Sequence, residues 1–312
     1  MINFRYIVFI LIVAVLIFLM IDCNTDSKAN LESKKPRIAL STFSLYDIAK
    51  HISADTFDLF TILPAGVDAH SFEPTPRLMV NIDKSELVVY SGAGLEPWIS
   101  NFDFKSKVID MSKHVKLIGL DKNDEHKHAH SSSCSHSTVD PHYWLDIQNM
   151  TEASNILTEE FIKIIPSNKK LYIQNRDTYI AMLNKLDSDY KKELSQCKIQ
   201  SIIVNHNAFS YLAEKYSFSV ESLSGLSPDT EPNAKSMLRL IQHVREDNIS
   251  TIFFESFVSD IAMKSIAKEV NIEVDVLHPL GNITANDLEK NLNYEDIMRI
   301  NLQKISKARE CR

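Results

Sequence analysis

Two blocks of this chain show the same alternation of hydrophobic and polar patterns. In residues 36–167 and again in residues 197–312, short β-rich runs alternate with stretches whose apolar residues recur every three or four positions. The predicted strands are Arg37–Leu40, Asp58–Leu63, Leu87–Tyr90, Lys107–Asp110, Ile199–Val204, Ser219–Ser222, Thr251–Phe254 and Glu273–Leu277. The helices predicted between them are Leu45–Ile52, Arg77–Lys84, Ala234–Asp247 and Ser259–Val270. This alternation predicts an α/β protein with two Rossmann-like lobes and mostly parallel sheets.

A long segment of helix-forming residues joins the two blocks. Met150–Ile165 is predicted to be a helix that Pro166 ends. Asn168–Ser195 then contains neither glycine nor proline, and most of its apolar residues are three or four positions apart. That spacing places them on one buried stripe. We therefore predict that residues 168–196 form a long rigid helix between an N-terminal lobe, 36–167, and a C-terminal lobe, 197–312.

The first 22 residues are predicted to be a signal peptide. Arg5 precedes an apolar run, Tyr6–Ile21, whose 16 residues would reach about 24 Å as a helix. That length is short of the ~30 Å hydrocarbon core of a bilayer. Cys23 follows directly, as in bacterial lipoproteins that are lipidated on this thiol, although Asp22 stands where their signal peptidase expects a small residue. An uncleaved N-terminal anchor and a secreted form therefore stay open, and the predicted location is the periplasm or the cell surface.

Composition and net charge limit the kinds of partner that this chain can bind. Residues 23–35 are polar and without aromatic side chains, which predicts a flexible tether. The chain has 41 acidic and 34 basic residues, for a net charge of −7. This balance argues against nucleic acid as a partner, because phosphate binding needs a basic surface. It is compatible with attraction of a cation.

Four histidines in distinctive segments are the candidate metal ligands: His70 in GVDAHSFEPTP, His142 in DPHYWLD, His206 in VNHNAF and His278 in LHPLGN. They are too far apart in sequence for a zinc finger, whose ligands lie within one small unit. His70, His206 and His278 each follow a predicted strand, and parallel α/β sheets bind ligands at the carboxyl ends of their strands. A single histidine is more often a core or surface residue. The repeated placement predicts a metal site with two ligands from each lobe.

A second histidine-rich feature lies between the first two candidate ligands. Residues 121–138 contain His126, His128, His130 and His136 together with several acids and Cys134. Such a run is typical of a disordered segment that collects metal without fixed geometry. A solvated polar loop without a function is the alternative.

Three acids and two cysteines complete the candidate residues. Asp140 or Asp146 could orient His142 through its second ring nitrogen. Glu255 could support the site or be an occasional ligand, and a structural acid at the cleft edge is the alternative. Outside the cytoplasm Cys197 and Cys311 could form a disulfide, but sequence alone leaves two free thiols equally open.

The segments around the histidines resemble the zinc/manganese solute-binding proteins of bacterial ABC transporters, the cluster with a helical backbone. VDAHSFEPTP, DPHYWLD, NHNAFSYLAEKYSF and LSPDTEPNAKSM carry the similarity, which extends from PRIALSTFSLYDIAKHI to LHPLGNIT. In that family His70, His142 and His206 would be the first three ligands. Manganese-selective members typically have a carboxylate at the third position, whereas zinc members resemble His206. Many zinc members also have a histidine-rich loop where residues 121–138 lie.

One departure from the family pattern concerns the fourth ligand. The family usually has an aspartate in an L-D-P-L-G segment, where this chain has His278. The result would be a four-histidine site, or three histidines and a water if His278 turns away. Imidazole suits zinc, while manganese prefers oxygen, so zinc is favoured.

The resemblance implies an extracytoplasmic receptor that delivers Zn2+ to the membrane subunit of an ABC permease. Such a receptor is not an enzyme, is expected to be a monomer, and contacts the membrane only through its N-terminal anchor or lipid. The alternatives are a manganese receptor of the same family and a surface adhesin. A zinc hydrolase would need an open ligand position and a general base such as Glu255.

Overall fold

The computed structural model describes residues 35–119, 139–226, 234–256 and 261–312, and its architecture is two parallel sheets flanked by helices. The first sheet has the order β2-β1-β3-β4, and all its strand pairs are parallel. Its strands are β1 Arg37–Leu40, β2 Asp58–Thr61, β3 Leu87–Tyr90 and β4 Lys107–Asp110. The helices of this half are α1 Phe43–Ser53, α2 Pro76–Ile82 and α3 Ile147–Ile164.

The second sheet repeats this arrangement with the order β6-β5-β7-β8, again with parallel pairs. Its strands are β5 Ser201–His206, β6 Ser219–Ser224, β7 Thr251–Glu255 and β8 Glu273–Leu277. The helices of this half are α5 Ser210–Lys215, α6 Ala234–Glu246, α7 Ile261–Val270, α8 Ala285–Glu289 and α9 Tyr294–Ala308. The predicted fold class, two α/β lobes with parallel sheets, is confirmed.

The boundaries differ from the sequence prediction where tertiary contacts intervene. β5 begins at Ser201 rather than Ile199, because the backbone N–H of Ile199 donates to the carbonyl of Arg309 outside the sheet. The strand also runs further, to His206, which is paired in register with Ser224. A helix predicted to begin near Ala208 is present as the short α5, whereas α8 and the fifteen-residue α9 are helices that the periodicity did not predict.

The long helix between the two halves is α4, Lys169–Glu193, and it has 25 residues. It is shorter than the predicted 168–196 at both ends: a 3-10 turn, Pro166–Asn168, precedes it, and it ends at Glu193 with Leu194 as its C-cap. Most of the predicted apolar stripe is buried, namely Tyr172, Tyr179, Leu183, Leu186 and Tyr190, whereas its members Ile173 and Ile180 are half-buried. The helix packs against α1 and α3 of the first half and against α9 of the second, so this one helix contacts both halves.

Asp47 of α1 is the polar centre of this helix packing. One of its carboxylate oxygens accepts the hydroxyl hydrogen of Tyr179 in α4 at 2.9 Å, and the other accepts the backbone N–H of Tyr294 in α9 at 3.2 Å. These hydrogen bonds offset the cost of burying the carboxylate. They also tie α4 and α9 to α1, and so fix the positions of the three helices relative to one another. One apolar core contains residues of both halves, including Ile38, Tyr190 and Leu302, and residues 36–312 form one compact unit.

The predicted signal peptide, 1–22, and all but Lys35 of the predicted tether lie outside the described residues. Within the part of the chain that the structure describes, none of the helices combines the length and apolar character that a bilayer crossing requires.

A disulfide joins Cys197, at the start of the second half, to Cys311, next to the end of the chain. Two backbone hydrogen bonds accompany it: Ile199 N–H donates to Arg309 O at 3.0 Å, and Arg312 N–H donates to Gln196 O at 3.0 Å. The C-terminal segment is therefore fixed against the beginning of β5.

Removing this disulfide is expected to lower the free energy of unfolding by about 2–4 kcal/mol. The bond closes a loop between residues 114 positions apart, and such a cross-link restricts the unfolded chain. Urea unfolding of the Cys197→Ala/Cys311→Ala variant measures the effect, and reduced wild-type protein should match the variant. Equal midpoints for oxidised, reduced and variant protein would mean that the two thiols are not paired in solution.

Candidate metal centre

Three histidines that are distant in sequence converge on one point. The distance between Nε2 of His70 and Nε2 of His142 is 3.2 Å, and that between Nε2 of His142 and Nε2 of His206 is 3.4 Å. One ring nitrogen from each histidine lies within 4.8 Å of the other two. Ligands held 2.0–2.1 Å from a tetrahedral ion are separated by about 3.3–3.4 Å, so this spacing fits a zinc ion at the centre.

Each histidine is placed by a different local structure. His206 is the last residue of β5, at the carboxyl end of the second sheet. His70 lies in the loop between β2 and α2, where its backbone N–H donates to the carboxylate of Asp68 at 2.8 Å. His142 is the N-cap of a 3-10 turn, Tyr143–Leu145, that leads into α3. The first half thus contributes two histidines to the group and the second half one, where the sequence predicted two from each lobe.

Buried acids hold the second nitrogens of two of these rings. Oδ1 of Asp140 lies 2.8 Å from Nδ1 of His142 and also accepts the backbone N–H of that residue at 2.9 Å. Glu255, the last residue of β7, lies against Nδ1 of His206, and both side chains are only about 1% exposed. A carboxylate that accepts Nδ1–H leaves the Nε2 lone pair free for a metal, so both rings are fixed in the tautomer that coordination needs.

The pKa values of two of these histidines are shifted, and the shifts determine how readily each ring can bind a cation. Burial lowers the pKa of His70 well below 6.5, and the neighbouring His142 and His206 lower it further, so this ring stays neutral. Burial also acts to lower the pKa of His206, but the carboxylate of Glu255, aided by Asp68 and Asp140, outweighs it and raises the pKa. Of these two rings, His206 is therefore the one at which a proton competes more readily with a metal.

His278, the predicted fourth ligand, lies outside the three-histidine group. It follows β8 and is buried, and its Nδ1 accepts the backbone N–H of Leu280 at 3.0 Å. A neutral ring in this arrangement has its proton on Nε2, which lies 3.5 Å from Oδ2 of Asp287. The hydrogen bond from His278 is the main reason why the pKa of Asp287 falls to about 2. Coordination by His278 requires a movement of this ring, and it stays a prediction.

The other candidate residues divide between the site and its surroundings. It is Asp140, and not Asp146, that contacts the His142 ring. Asp146 caps α3 by accepting the backbone N–H of Gln148 and pairs with Lys215 at 2.6 Å. His126, His128, His130 and His136 lie outside the described residues, so the metal-collecting loop at 121–138 stays a prediction.

The chain around the histidine-rich segment is nevertheless fixed. Gly119 and Val139 form an antiparallel bridge, and the next residue is Asp140. The backbone N–H of Asp140 donates to Ile118 O at 2.9 Å, and its carbonyl accepts the hydroxyl hydrogen of Tyr211 at 2.8 Å. The residues that flank the histidine-rich segment, Gly119 and Val139, therefore lie beside the acid that holds His142.

Sequence reasoning missed two acids near the histidines. Asp68 shares a motif with His70 and lies two positions before it, which was a usable signal for a loop-forming role. Asp287 lies in a different segment from His278, and only the tertiary structure brings the two together.

The chain is similar to zinc-uptake proteins over most of its length. The family model described as "Zinc-uptake complex component A periplasmic" matches residues 38–308. The "High-affinity zinc uptake system protein ZnuA" of Bacillus subtilis is 31% identical over 301 residues, which cover 93% of this chain and 94% of that protein. The chain also matches the "Zinc-binding lipoprotein AdcA" of Streptococcus pneumoniae at 28% identity, but it spans only 58% of that protein's length.

Solved structures with the same architecture include two metal-binding proteins. The Zn(II)-bound ZnuA-like domain of AdcA from Streptococcus pneumoniae has a TM-score of 0.73 at 27% identity, covering 88% of this chain and 99% of that one. The laminin-binding protein Lmb of Streptococcus agalactiae has a TM-score of 0.77 at 25% identity, with the same coverage of 88% and 99%. Lmb is described as a bifunctional protein with adhesin and metal transporting activity.

Proposed function

This chain belongs to the zinc-uptake complex component A family, and we propose that it is an extracytoplasmic receptor that binds Zn2+ and delivers it to the membrane subunit of an ABC-type permease. The observation that carries the proposal is the convergence of Nε2 atoms of His70, His142 and His206 at distances of 3.2 and 3.4 Å. Zinc is the transported substrate here, and no covalent chemistry is performed on it.

The donor set supports zinc over manganese. Imidazole nitrogens suit zinc, whereas manganese prefers carboxylate and carbonyl oxygens. In this site the carboxylates of Asp140 and Glu255 face Nδ1 of His142 and His206, so they are engaged with the rings. Their negative charge stabilises the ion through the histidines. The manganese receptor is the weaker alternative on these grounds.

A receptor is also favoured over a zinc hydrolase. Metal-assisted hydrolysis needs a general base that can reach a metal-bound water. Glu255 is the acid of this site that could serve, and it is buried against Nδ1 of His206. A carboxylate held there orients a ligand and is not placed to take a proton from water.

The domain organisation and location complete the proposal. Residues 1–22 would direct export, and Cys23 would carry a lipid. Residues 23–35 would tether the two lobes to the outer face of the membrane. The lobes are residues 36–167 and 197–312. The Cys197–Cys311 disulfide supports a location outside the cytoplasm, where such bonds persist. The histidine-rich segment, 121–138, would collect metal at lower affinity than the three histidines. The receptor would act as a monomer.

Surface adhesion is the second candidate function, because Lmb is described as both an adhesin and a metal transporter. Deleting the gene and growing the cells under zinc limitation separates the two. A zinc receptor predicts a growth defect that added zinc relieves. Unchanged growth with a loss of surface attachment would favour adhesion.

The function itself is tested most simply by the metal that the protein carries. Protein purified without added metal, analysed for its elements and then titrated against a zinc chelator, is expected to hold one tight zinc per chain. Manganese should not displace that zinc at equal concentration, because it is lower in the order of stability of divalent complexes. Tight binding of manganese but not of zinc would overturn the proposal.

Replacing His278 by aspartate is expected to raise manganese affinity relative to zinc affinity. A carboxylate at position 278 has no ring proton to lose, and repulsion from Asp287 would turn it away from that residue and towards the cation. It would add an oxygen donor, which manganese prefers, although zinc should remain the tighter ligand. Competition titrations with both metals measure the ratio, with His278→Ala as the control that adds no donor. An unchanged ratio would mean that the side chain at position 278 does not reach the metal.

A further inference from the structure

The loop after β8 crosses from the second half of the molecule to the first. In this bridging loop, residues 279–283, three backbone carbonyls accept hydrogen bonds from the first half. Phe43 N–H donates to Gly281 O at 3.0 Å, and Gly66 N–H donates to Ile283 O at 2.9 Å. The indole N–H of Trp144 donates to Pro279 O at 2.7 Å. The bridging loop is thus bound to three separate segments of the other half.

Asn282 lies at the centre of this arrangement. Its side-chain NH2 donates to Pro64 O and to Val67 O, each at 2.7 Å, and its Oδ1 accepts the backbone N–H of Ile283 at 2.8 Å. The residue is only 5% exposed. Both donor hydrogens therefore hold the same four-residue stretch, 64–67, and that stretch leads directly to Asp68 and His70.

The packing beside Asn282 leaves little room for movement. A Cβ added to Gly281 would lie 3.2 Å from the Trp144 ring, so the bridging loop lies directly against that indole. Trp144 in turn contacts His142, with ring centroids 5.5 Å apart. One loop consequently touches both the segment that carries His70 and the aromatic ring beside His142.

We propose that Asn282 is a positioning residue for the metal site. By holding 64–67 against the bridging loop, it keeps Nε2 of His70 at coordination distance from His142 and His206 before a metal arrives. The inference rests on the proposal that these three histidines bind zinc. Without the two hydrogen bonds, the His70 segment becomes ordered only when zinc binds. The conformational entropy lost at that step lowers the zinc affinity.

The substitution Asn282→Asp tests this with almost no change in shape. A carboxylate has no hydrogen to donate, so both bonds to Pro64 O and Val67 O are lost. Zinc affinity, measured by chelator competition, is expected to fall about 10- to 100-fold, the range found when partners that hold metal ligands are removed. The added negative charge would by itself raise the affinity for a cation. A fall in zinc affinity would therefore come from the lost hydrogen bonds and not from the charge. The absorption bands of the Co2+-substituted protein should weaken as His70 is loosened.

A double-mutant cycle separates positioning from general damage. If Asn282 acts through His70, then Asn282→Asp should have no further effect on zinc affinity in a His70→Ala background. The matched control is Asn175→Asp, because Asn175 donates its NH2 to Ile52 O at 2.9 Å in the contact between α4 and α1. That variant should lose thermal stability but keep the zinc affinity and the Co2+ spectrum of the wild type.

Two results would overturn the proposal. One is an Asn282→Asp variant with wild-type zinc affinity and an unchanged Co2+ spectrum; the other is a loss that is equally large in the His70→Ala background. Should Asn282→Asp not fold, the uncharged Asn282→Ser, whose shorter side chain does not reach either carbonyl, should also lose zinc affinity, and wild-type affinity there would count against the proposal as well. Wild-type zinc affinity in His70→Ala alone would instead contradict the proposed site.

Discussion

Replacing His206 by alanine is expected to lower zinc affinity by about three orders of magnitude. A complete four-ligand zinc site provides about 10–16 kcal/mol of binding free energy, or roughly 3–4 kcal/mol for each ligand, which corresponds to two to three orders in the dissociation constant. His206 should lie at the upper end of this range. Its loss also leaves the carboxylate of Glu255, about 1% exposed, without the ring that it contacts.

Calorimetric titration with zinc measures this effect, and two controls define it. His243→Ala removes a half-buried histidine of α6 that pairs with Asp247 and is not part of the three-histidine group, and it should leave zinc binding unchanged. Deleting residues 121–138 should remove only weak additional equivalents, because ligands on a flexible segment must be ordered at binding. A deletion that abolishes the tight site would show that the three histidines are not the main ligands.

Bound zinc is expected to stabilise the folded protein by about 4 kcal/mol at 1,000 times its dissociation constant, and this stabilisation should disappear in acid. Only the folded chain has the assembled site, and each imidazole must be neutral at Nε2 to coordinate. The stabilisation is therefore present above the pKa of these rings and is lost as the pH falls.

The pH range follows from the individual histidines. The pKa of His206 is raised above 6.5 by Glu255 in spite of burial, so protons begin to displace zinc there near neutral pH. The pKa of His70 is held well below 6.5 by burial and by the other two rings, so this residue resists until lower pH. Zinc stabilisation should consequently decline from about pH 6.5 and be absent near pH 4.5.

Thermal unfolding with and without zinc at a series of pH values measures this loss. The difference in melting temperature should be large at pH 7.5 and should vanish at pH 4.5. The His206→Ala variant is the control, because it should show little difference at any pH. An equal difference at pH 7.5 and pH 4.5 for the wild type would contradict a site made of histidines.

The fold was predictable because its signals are local. A strand such as Leu87–Tyr90 is a continuous apolar run, and both its bounds were predicted correctly. The buried stripe of α4 follows from residue spacing alone. In contrast, α9 has a helical sequence with a capping box at Asn293, but its position depends on the distant contact between Asp47 and Tyr294. The hydrophobic periodicity of the sequence carries no information about that contact.

Local signals also indicated the three histidines that the structure brings together, and their role as metal ligands stays a prediction. His70 and His206 stand out because each follows a strand, and parallel strands bring their carboxyl ends to one edge. The orientation of His278 could not be predicted, because it is fixed by the N–H of Leu280 and the carboxylate of Asp287. The role of Asn282 was hidden for a similar reason: its acceptors are backbone carbonyls more than two hundred positions earlier in the chain.

X-ray absorption at the zinc edge identifies the atoms that bind the ion, so it shows whether His70, His142 and His206 hold one zinc. The sample is the protein without residues 121–138, loaded with one equivalent of zinc, so that the histidine-rich segment cannot contribute. We expect nitrogen ligands at about 2.0–2.1 Å with the multiple scattering of at least three imidazoles. A shell of oxygen or sulfur with fewer than three imidazoles would contradict it.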